Sequence, residues 1–156
     1  MKIPTNIKLP VSIFATLLVG AFGSFFTASS VTTWYTTLAK PSFNPPSWIF
    51  APVWTILYVL MGISFWMIWK SHSSEKKLAI GLFLIQFVLN AIWSPVFFGA
   101  HSIDWALALI VLLWAAIALT ILVFKKISKS AAWILVPYIL WVSFATVLNF
   151  AIWRLN

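Results

Sequence analysis

The sequence has no cysteine, which excludes disulfide frameworks, thiolate metal sites and thiol nucleophiles. Acids are almost as scarce. Glu75 and Asp104 are the only two in 156 residues, and His72 and His101 are the only histidines. Paired carboxylates, a Ser-His-Asp relay and a multi-ligand metal centre cannot be assembled from that inventory. Charged residues of any kind make up 8% of the chain. No acid or base falls deep inside an apolar run, which argues against a proton-coupled pump or an ion channel.

Apolar and aromatic residues fill the space: 63% of the chain is hydrophobic, with eleven tryptophans and fourteen phenylalanines. A mean hydropathy of +1.03 is too high for a soluble domain of this size, so the bilayer is the expected solvent. The net charge of +8 would suggest nucleic acid in a soluble protein. Here the basic residues fall between apolar segments, where the positive-inside rule accounts for them without a nucleic-acid partner.

Charges divide the chain into uncharged runs at 9–39, 41–69, 78–103, 105–124 and 130–153. Each has the roughly 20 residues needed to cross a hydrocarbon core at about 1.5 Å per residue. The expectation is an all-α membrane protein forming a single transmembrane domain over 1–156. Five transmembrane helices are placed at roughly 9–30, 48–69, 78–99, 104–124 and 131–153. A barrel would need period-two strands, which are missing. The first run, preceded by Lys2 and Lys8, could pass for a signal peptide, but its apolar part is too long for one. Gly20, Ser24 and Ala28 make a small-residue stripe on it, suited to close approach of another helix or merely incidental.

Lys2, Lys8, Lys70, Lys76, Lys77, Lys125, Lys126 and Lys129 fall on one side of these helices, against Lys40 and Arg154 on the other. The expected topology is a multi-pass protein of the cell membrane, its N-terminus cytoplasmic, its first loop and C-terminus outside. That first loop is the only long connection, and it is proline-rich. Pro41, Pro45, Pro46 and Pro52 stiffen the stretch from Trp34 to Trp54, which suits a lid that loses little entropy on ordering. Trp54, Asn90, Trp93, Trp141, Ala145 and Asn149 all fall in the half of the bundle beneath it. An aromatic pocket on the outward side is expected.

Within that half, helical spacing puts Trp54, Tyr58 and Gly62 on one face, as it does Gln86, Asn90 and Ser94, and Trp141, Ala145 and Asn149. Gln86, Asn90 and Asn149 should face the interior, either as interhelical glue or as ligand contacts. Trp66, Trp69, Trp105, Trp133 and Trp153 lie near helix ends and suit an interfacial belt, whereas Trp114 is mid-membrane. Trp54 and Trp141 are candidates to line a site, because an indole offers a planar ligand a flat face and one N–H donor. Pro52, Pro95 and Pro137 are expected to kink helices, and Pro52 and Pro95 fall in the same outer third, where widening the bundle would make room for a ligand. His101 could be an axial haem ligand, but a lone loop histidine is usually solvated, and Asp104 is read as an N-cap.

Three motifs, in order along the whole chain, carry a resemblance. Trp34-Tyr35, Leu38-Ala39-Lys40-Pro41-Ser42-Phe43-Asn44-Pro45-Pro46-Ser47-Trp48 and Pro52-Val53-Trp54 form the first. Leu89-Asn90-Ala91-Ile92-Trp93-Ser94-Pro95 with Phe97-Phe98-Gly99 forms the second, and Pro137-Tyr138, Trp141, Ala145-Thr146-Val147-Leu148-Asn149 and Trp153-Arg154 the third. They resemble the translocator protein/tryptophan-rich sensory protein family.

The resemblance implies a five-helix bundle, usually a homodimer, with a cavity closed by the first loop. It implies binding of tetrapyrroles such as protoporphyrin IX and of isoquinoline carboxamide and benzodiazepine-type drugs. Light-dependent oxidative degradation of the porphyrin is implied as well, with the porphyrin as ligand or substrate and no separate cofactor. Carried over by motif, the ligand-binding residues are Tyr35, Pro45, Phe50, Trp54, Asn90, Trp93, Trp141, Ala145 and Leu148. Trp54 and Trp141 match the pair tied to the photochemistry. The family's cholesterol pattern needs a tyrosine where this chain has Phe150, which favours a bacterial tetrapyrrole protein over a sterol carrier. A tetrapyrrole transporter and a stress sensor are the alternatives; against transport, no inverted repeat or coupling-ion residue is visible.

Overall fold

The computed structural model describes residues 4–156, so Lys2 lies outside the described residues. Its helices are α1 (Thr5–Ser30), the short α2 (Trp34–Thr37), α3 (Phe50–Trp69), α4 (Lys76–Ser94), α5 (Ile103–Ile127), α6 (Lys129–Ile134) and α7 (Val136–Leu155). A 3₁₀ turn, Ser47–Ile49, leads into α3, and a π-helical turn, Pro95–Gly99, extends α4. There are no strands among the described residues. Among the described residues, five stretches are long and apolar enough to cross a membrane: Ile7–Ser30, Ser47–Trp69, Lys76–Gly99, Ile103–Ile127 and Lys129–Leu155.

The prolines explain the irregularities. Pro95 has no N–H to give, and the helix widens there so that the Ala100 N–H donates to the Pro95 carbonyl across 2.8 Å. Pro137 likewise breaks the last span at Leu135, separating α6 from α7. Pro52, at the third position of α3, falls where its missing N–H costs no helical bond. The fourth span opens one residue before Asp104. Ser102 therefore holds the N-cap position, and Asp104 sits in the first turn, accepting from the Ser102 hydroxyl at 3.0 Å. That corrects the N-cap reading of Asp104.

The helices close a ring: α1 packs on α3, α3 on α6 and more sparsely on α7, α7 on α5, α5 on α4, and α4 back on α1. Close approach of α1 and α3 depends on Gly62. A Cβ there would fall 2.6 Å from the Cα of Ile13, well inside van der Waals contact. Next to it the Thr16 hydroxyl donates 2.7 Å to the Tyr58 carbonyl. Small residues at such crossings let dispersion and interhelical hydrogen bonds act where lipid offers no hydrophobic drive.

Two packed clusters result. One lies toward the lysine-bearing loops, where Phe65, Phe83 and Phe124 stack with centroids 4.6 and 6.1 Å apart around Met61, Ile68 and Ile117. The other lies at the opposite end and joins Tyr35 to Phe97, Phe98, Ala106, Leu148 and Ile152.

Candidate functional site

Above the first cluster, and bordered by the second, lies a cavity of about 510 Å³. That is within the range of roughly 300–1,000 Å³ typical of small-molecule sites. Of the residues singled out from sequence, Tyr35, Phe50, Trp54, Asn90, Trp93, Trp141, Ala145 and Leu148 line it. Pro45 does not. It sits half-buried in the proline-rich connection, its carbonyl accepting from Asn44 Nδ2 at 3.2 Å.

The three indoles are held differently. Trp54 lies over Tyr58, centroids 5.6 Å apart and planes 30° from parallel. Trp93 stacks on Phe97 at 5.0 Å, and its Nε1–H donates to the Ala106 carbonyl at 3.1 Å, so it offers the cavity a ring and no donor. Trp141 rests edge-on to Phe50 and tilted against Phe144. Its buried Nε1–H has no partner.

Asn90 differs from the simple expectation. Tyr58 Oη donates to Asn90 Oδ1 (2.6 Å), Asn90 Nδ2 donates to Tyr138 Oη (3.0 Å), and Tyr138 Oη donates to Gln86 Oε1 (2.9 Å). A single chain of donors thus runs through four side chains on α3, α4 and α7 beneath the cavity. Gln86 is the glue the sequence allowed, and Asn90 is committed to the same work at the cavity floor. The wall keeps another amide with spare capacity. Asn149 is 2% exposed; its Nδ2 donates to the Ile103 carbonyl at 3.3 Å and its Oδ1 accepts nothing.

α1 was not expected to contribute, yet Leu17, Gly20, Ala21, Gly23, Ser24, Thr27 and Ala28 all border the cavity. The small-residue stripe was the available signal. Gly20 does serve close approach, since a Cβ there would meet the Tyr58 ring at 2.6 Å. Ser24 and Ala28 face open space instead.

The proline-rich connection is fastened at several points. Tyr35 Oη donates to Asn44 Oδ1 (2.7 Å), Lys40 Nζ donates to the Tyr35 and Leu38 carbonyls, and Asn156 pairs with the Ala39 backbone. Burial pushes the Tyr35 phenol up to about 12. His101, with φ of 55°, stacks on Trp34 at 4.3 Å, and its Nε2 lies 3.3 Å from Ser30 Oγ. The loop histidine is exposed but not free of contacts.

Among the described residues, no three His, Cys, Asp or Glu side chains converge. The cavity offers flat aromatic faces and, buried in its wall, two polar atoms without partners, the Trp141 Nε1–H and Asn149 Oδ1.

The sequence pattern of the TspO/MBR family matches residues 12–154. The tryptophan-rich protein TspO of Chlorobaculum tepidum is 47% identical over 154 residues, 96% of each chain. The protein of the same name from Archaeoglobus fulgidus is 44% identical over 150 residues, covering 96% of this chain and 97% of its own. The translocator protein of Homo sapiens is 39% identical over 142 residues, 88% of this chain and 84% of its own.

Proposed function

From the premise that this chain belongs to the TspO/MBR family of membrane proteins, we propose that it binds tetrapyrroles such as protoporphyrin IX and promotes their light-dependent oxidation. The observation that carries this reading is the cavity walled by Trp54, Trp93 and Trp141. Indole faces suit a flat conjugated macrocycle, and the uncommitted Trp141 Nε1–H and Asn149 Oδ1 offer one donor and one acceptor.

Nothing in the site acts as an acid or base. The chain holds the macrocycle in place and excludes bulk water. Light supplies the excitation, and dioxygen is the oxidant. The excited porphyrin passes its energy to dioxygen, and the singlet oxygen formed adds across a double bond of the macrocycle. Alternatively, it takes an electron from Trp54 or Trp141 and reduces dioxygen to superoxide. The indole radical is then restored by an electron from the macrocycle, and the macrocycle's radical cation combines with the superoxide. The proline-rich connection acts as the lid. Isoquinoline carboxamide and benzodiazepine-type compounds, flat and apolar, fit the same space. The setting is the cell membrane, with the lid outside and the chain paired as a homodimer.

The test is irradiation of the purified protein with protoporphyrin IX. Light-dependent bleaching that falls in Trp54→Phe and Trp141→Phe supports the reading. The same bleaching rate in empty detergent micelles refutes it. Binding without bleaching, together with uptake into sealed vesicles, would favour translocation instead.

A further inference from the structure

The cavity is not closed all round, and the packing of α1 shows where it opens. Toward the lysine-bearing end α1 lies against α3, with Gly62 at Ile13 and Gly20 at the Tyr58 ring. Beyond Gly20 its contacts change partner. A Cβ on Gly23 would meet Ser94 Oγ at 3.2 Å, Phe26 lies over Gly99, and the Ser30 hydroxyl donates to the Phe98 carbonyl at 2.6 Å. α1 has crossed from α3 to the end of α4, and a seam opens between α1 and α3.

The burial pattern places the opening in that seam. Ala21, Ser24 and Ala28 of α1, and Ala51 and Thr55 of α3, all border the cavity and are all exposed. Lining residues from α4, α5 and α7 are buried or half-buried. Every side chain on this rim is small. A second seam, between α3 and α7, carries an outer groove that shares Trp141 with the cavity. There the indole stands between the two spaces, so that seam is shut.

We propose that this α1–α3 window is the door of the cavity, and that ligands load sideways from the bilayer rather than from water beneath the proline-rich connection. The route suits a flat, membrane-dissolved molecule sliding in edge-on past alanine and serine side chains. A destination awaits it, because the 2%-exposed Asn149 leaves Oδ1 unpartnered on the wall. The lid end, tied by Asn156 to Ala39 and by Tyr35 to Asn44, need not open in each cycle. The window deepens the tetrapyrrole reading but is tested without any tetrapyrrole.

Because the chain has no native cysteine, Ala145→Cys puts a single thiol in the cavity. In lipid nanodiscs it is treated with a membrane-dissolved aryl maleimide or with a charged, water-confined thiol reagent. The maleimide is expected to label the thiol, and the charged reagent to be at least about tenfold slower. Ser24→Trp or Ala51→Trp, each narrowing the window, should slow the maleimide about tenfold, as a raised barrier of some 1.4 kcal/mol would. Asn156→Ala should leave it unchanged. The two window variants are independent, so misfolding of one leaves the other to decide. Faster labelling by the charged reagent, or an unchanged maleimide rate in both window variants, overturns the proposal. Failure of protoporphyrin IX to bind the native chain would instead refute the proposed function and leave the labelling result standing.

Discussion

Tyr58 Oη donates to Asn90 Oδ1 across 2.6 Å, and this bond ties α3 to α4 directly beneath the cavity. It makes Asn90 a structural residue before it is a contact for any ligand. Asn90→Leu leaves the Tyr58 hydroxyl without its acceptor and the Tyr138 hydroxyl without a donor, both in buried positions. An unsatisfied buried polar group costs about 1–3 kcal/mol, and interhelical bonds in membranes average near 0.6. The ligand-free variant should therefore unfold at a lower temperature, by about 1–3 kcal/mol in all. An unchanged thermal midpoint without ligand would show that Asn90 serves binding alone.

Glycine substitutions should separate by site. Gly62→Ala drives a methyl into the Ile13 backbone, which cannot yield as a side chain could. Overpacking of this kind costs about 1–3 kcal/mol. Gly81→Ala meets nothing within 4 Å and should be neutral or stabilising by up to about 1 kcal/mol. Chemical denaturation of both variants in the same detergent checks the contrast.

Asn156 holds Ala39 from both sides, accepting from its N–H and donating to its carbonyl at 3.0 Å each. Asn156→Ala removes both bonds, each worth about 1 kcal/mol. Hydrogen exchange across 38–46 should quicken by up to roughly thirtyfold, as about 2 kcal/mol implies, while exchange in α4 and α5 stays as it was.

Tyr35 provides a pH test of the same connection. Its folded pKa, pushed up to about 12 by burial, exceeds the ordinary value near 10. Between those values the unfolded or opened form releases the phenolic proton first, so it binds fewer protons and stability falls as pH rises. The contribution is complete below about pH 10 and is lost as pH rises through about 12. Proteolysis of 38–46 should accelerate above about pH 10 in the native chain. Tyr35→Phe should remove that pH dependence and, having lost the bond to Asn44, start from a faster rate.

Much of this architecture was legible because charge is so sparse. Each uncharged run became a span, and Pro95 and Pro137 marked where the helical bonding is interrupted, though not that the interruption at Pro95 takes the form of a π turn. The boundaries moved outward where lysines could be carried on a helix end. The fourth span runs on through Lys125 and Lys126 to Ile127, since cations suit a helix C-terminus.

The cavity wall was legible on α3, α4 and α7, where indoles and amides marked it. It was invisible on α1, because Ala21, Ser24 and Ala28 contribute by being small, and an absence of side chain looks the same at a helix contact and at an opening. The commitment of Asn90 to Tyr58 and Tyr138 was also hidden, since it depends on the three-dimensional register of three helices rather than on spacing within one.

Whether the aromatic cavity is the tetrapyrrole site is decided by a titration in the dark. Protein in lipid nanodiscs is titrated with protoporphyrin IX, following porphyrin fluorescence and comparing the native chain with Ala145→Trp, which fills the cavity from α7. Saturable binding of one porphyrin per chain is expected, weakened at least about tenfold, or about 1.4 kcal/mol, in the filled variant. Uptake no greater than in empty nanodiscs, or saturable binding that Ala145→Trp leaves intact, would contradict it.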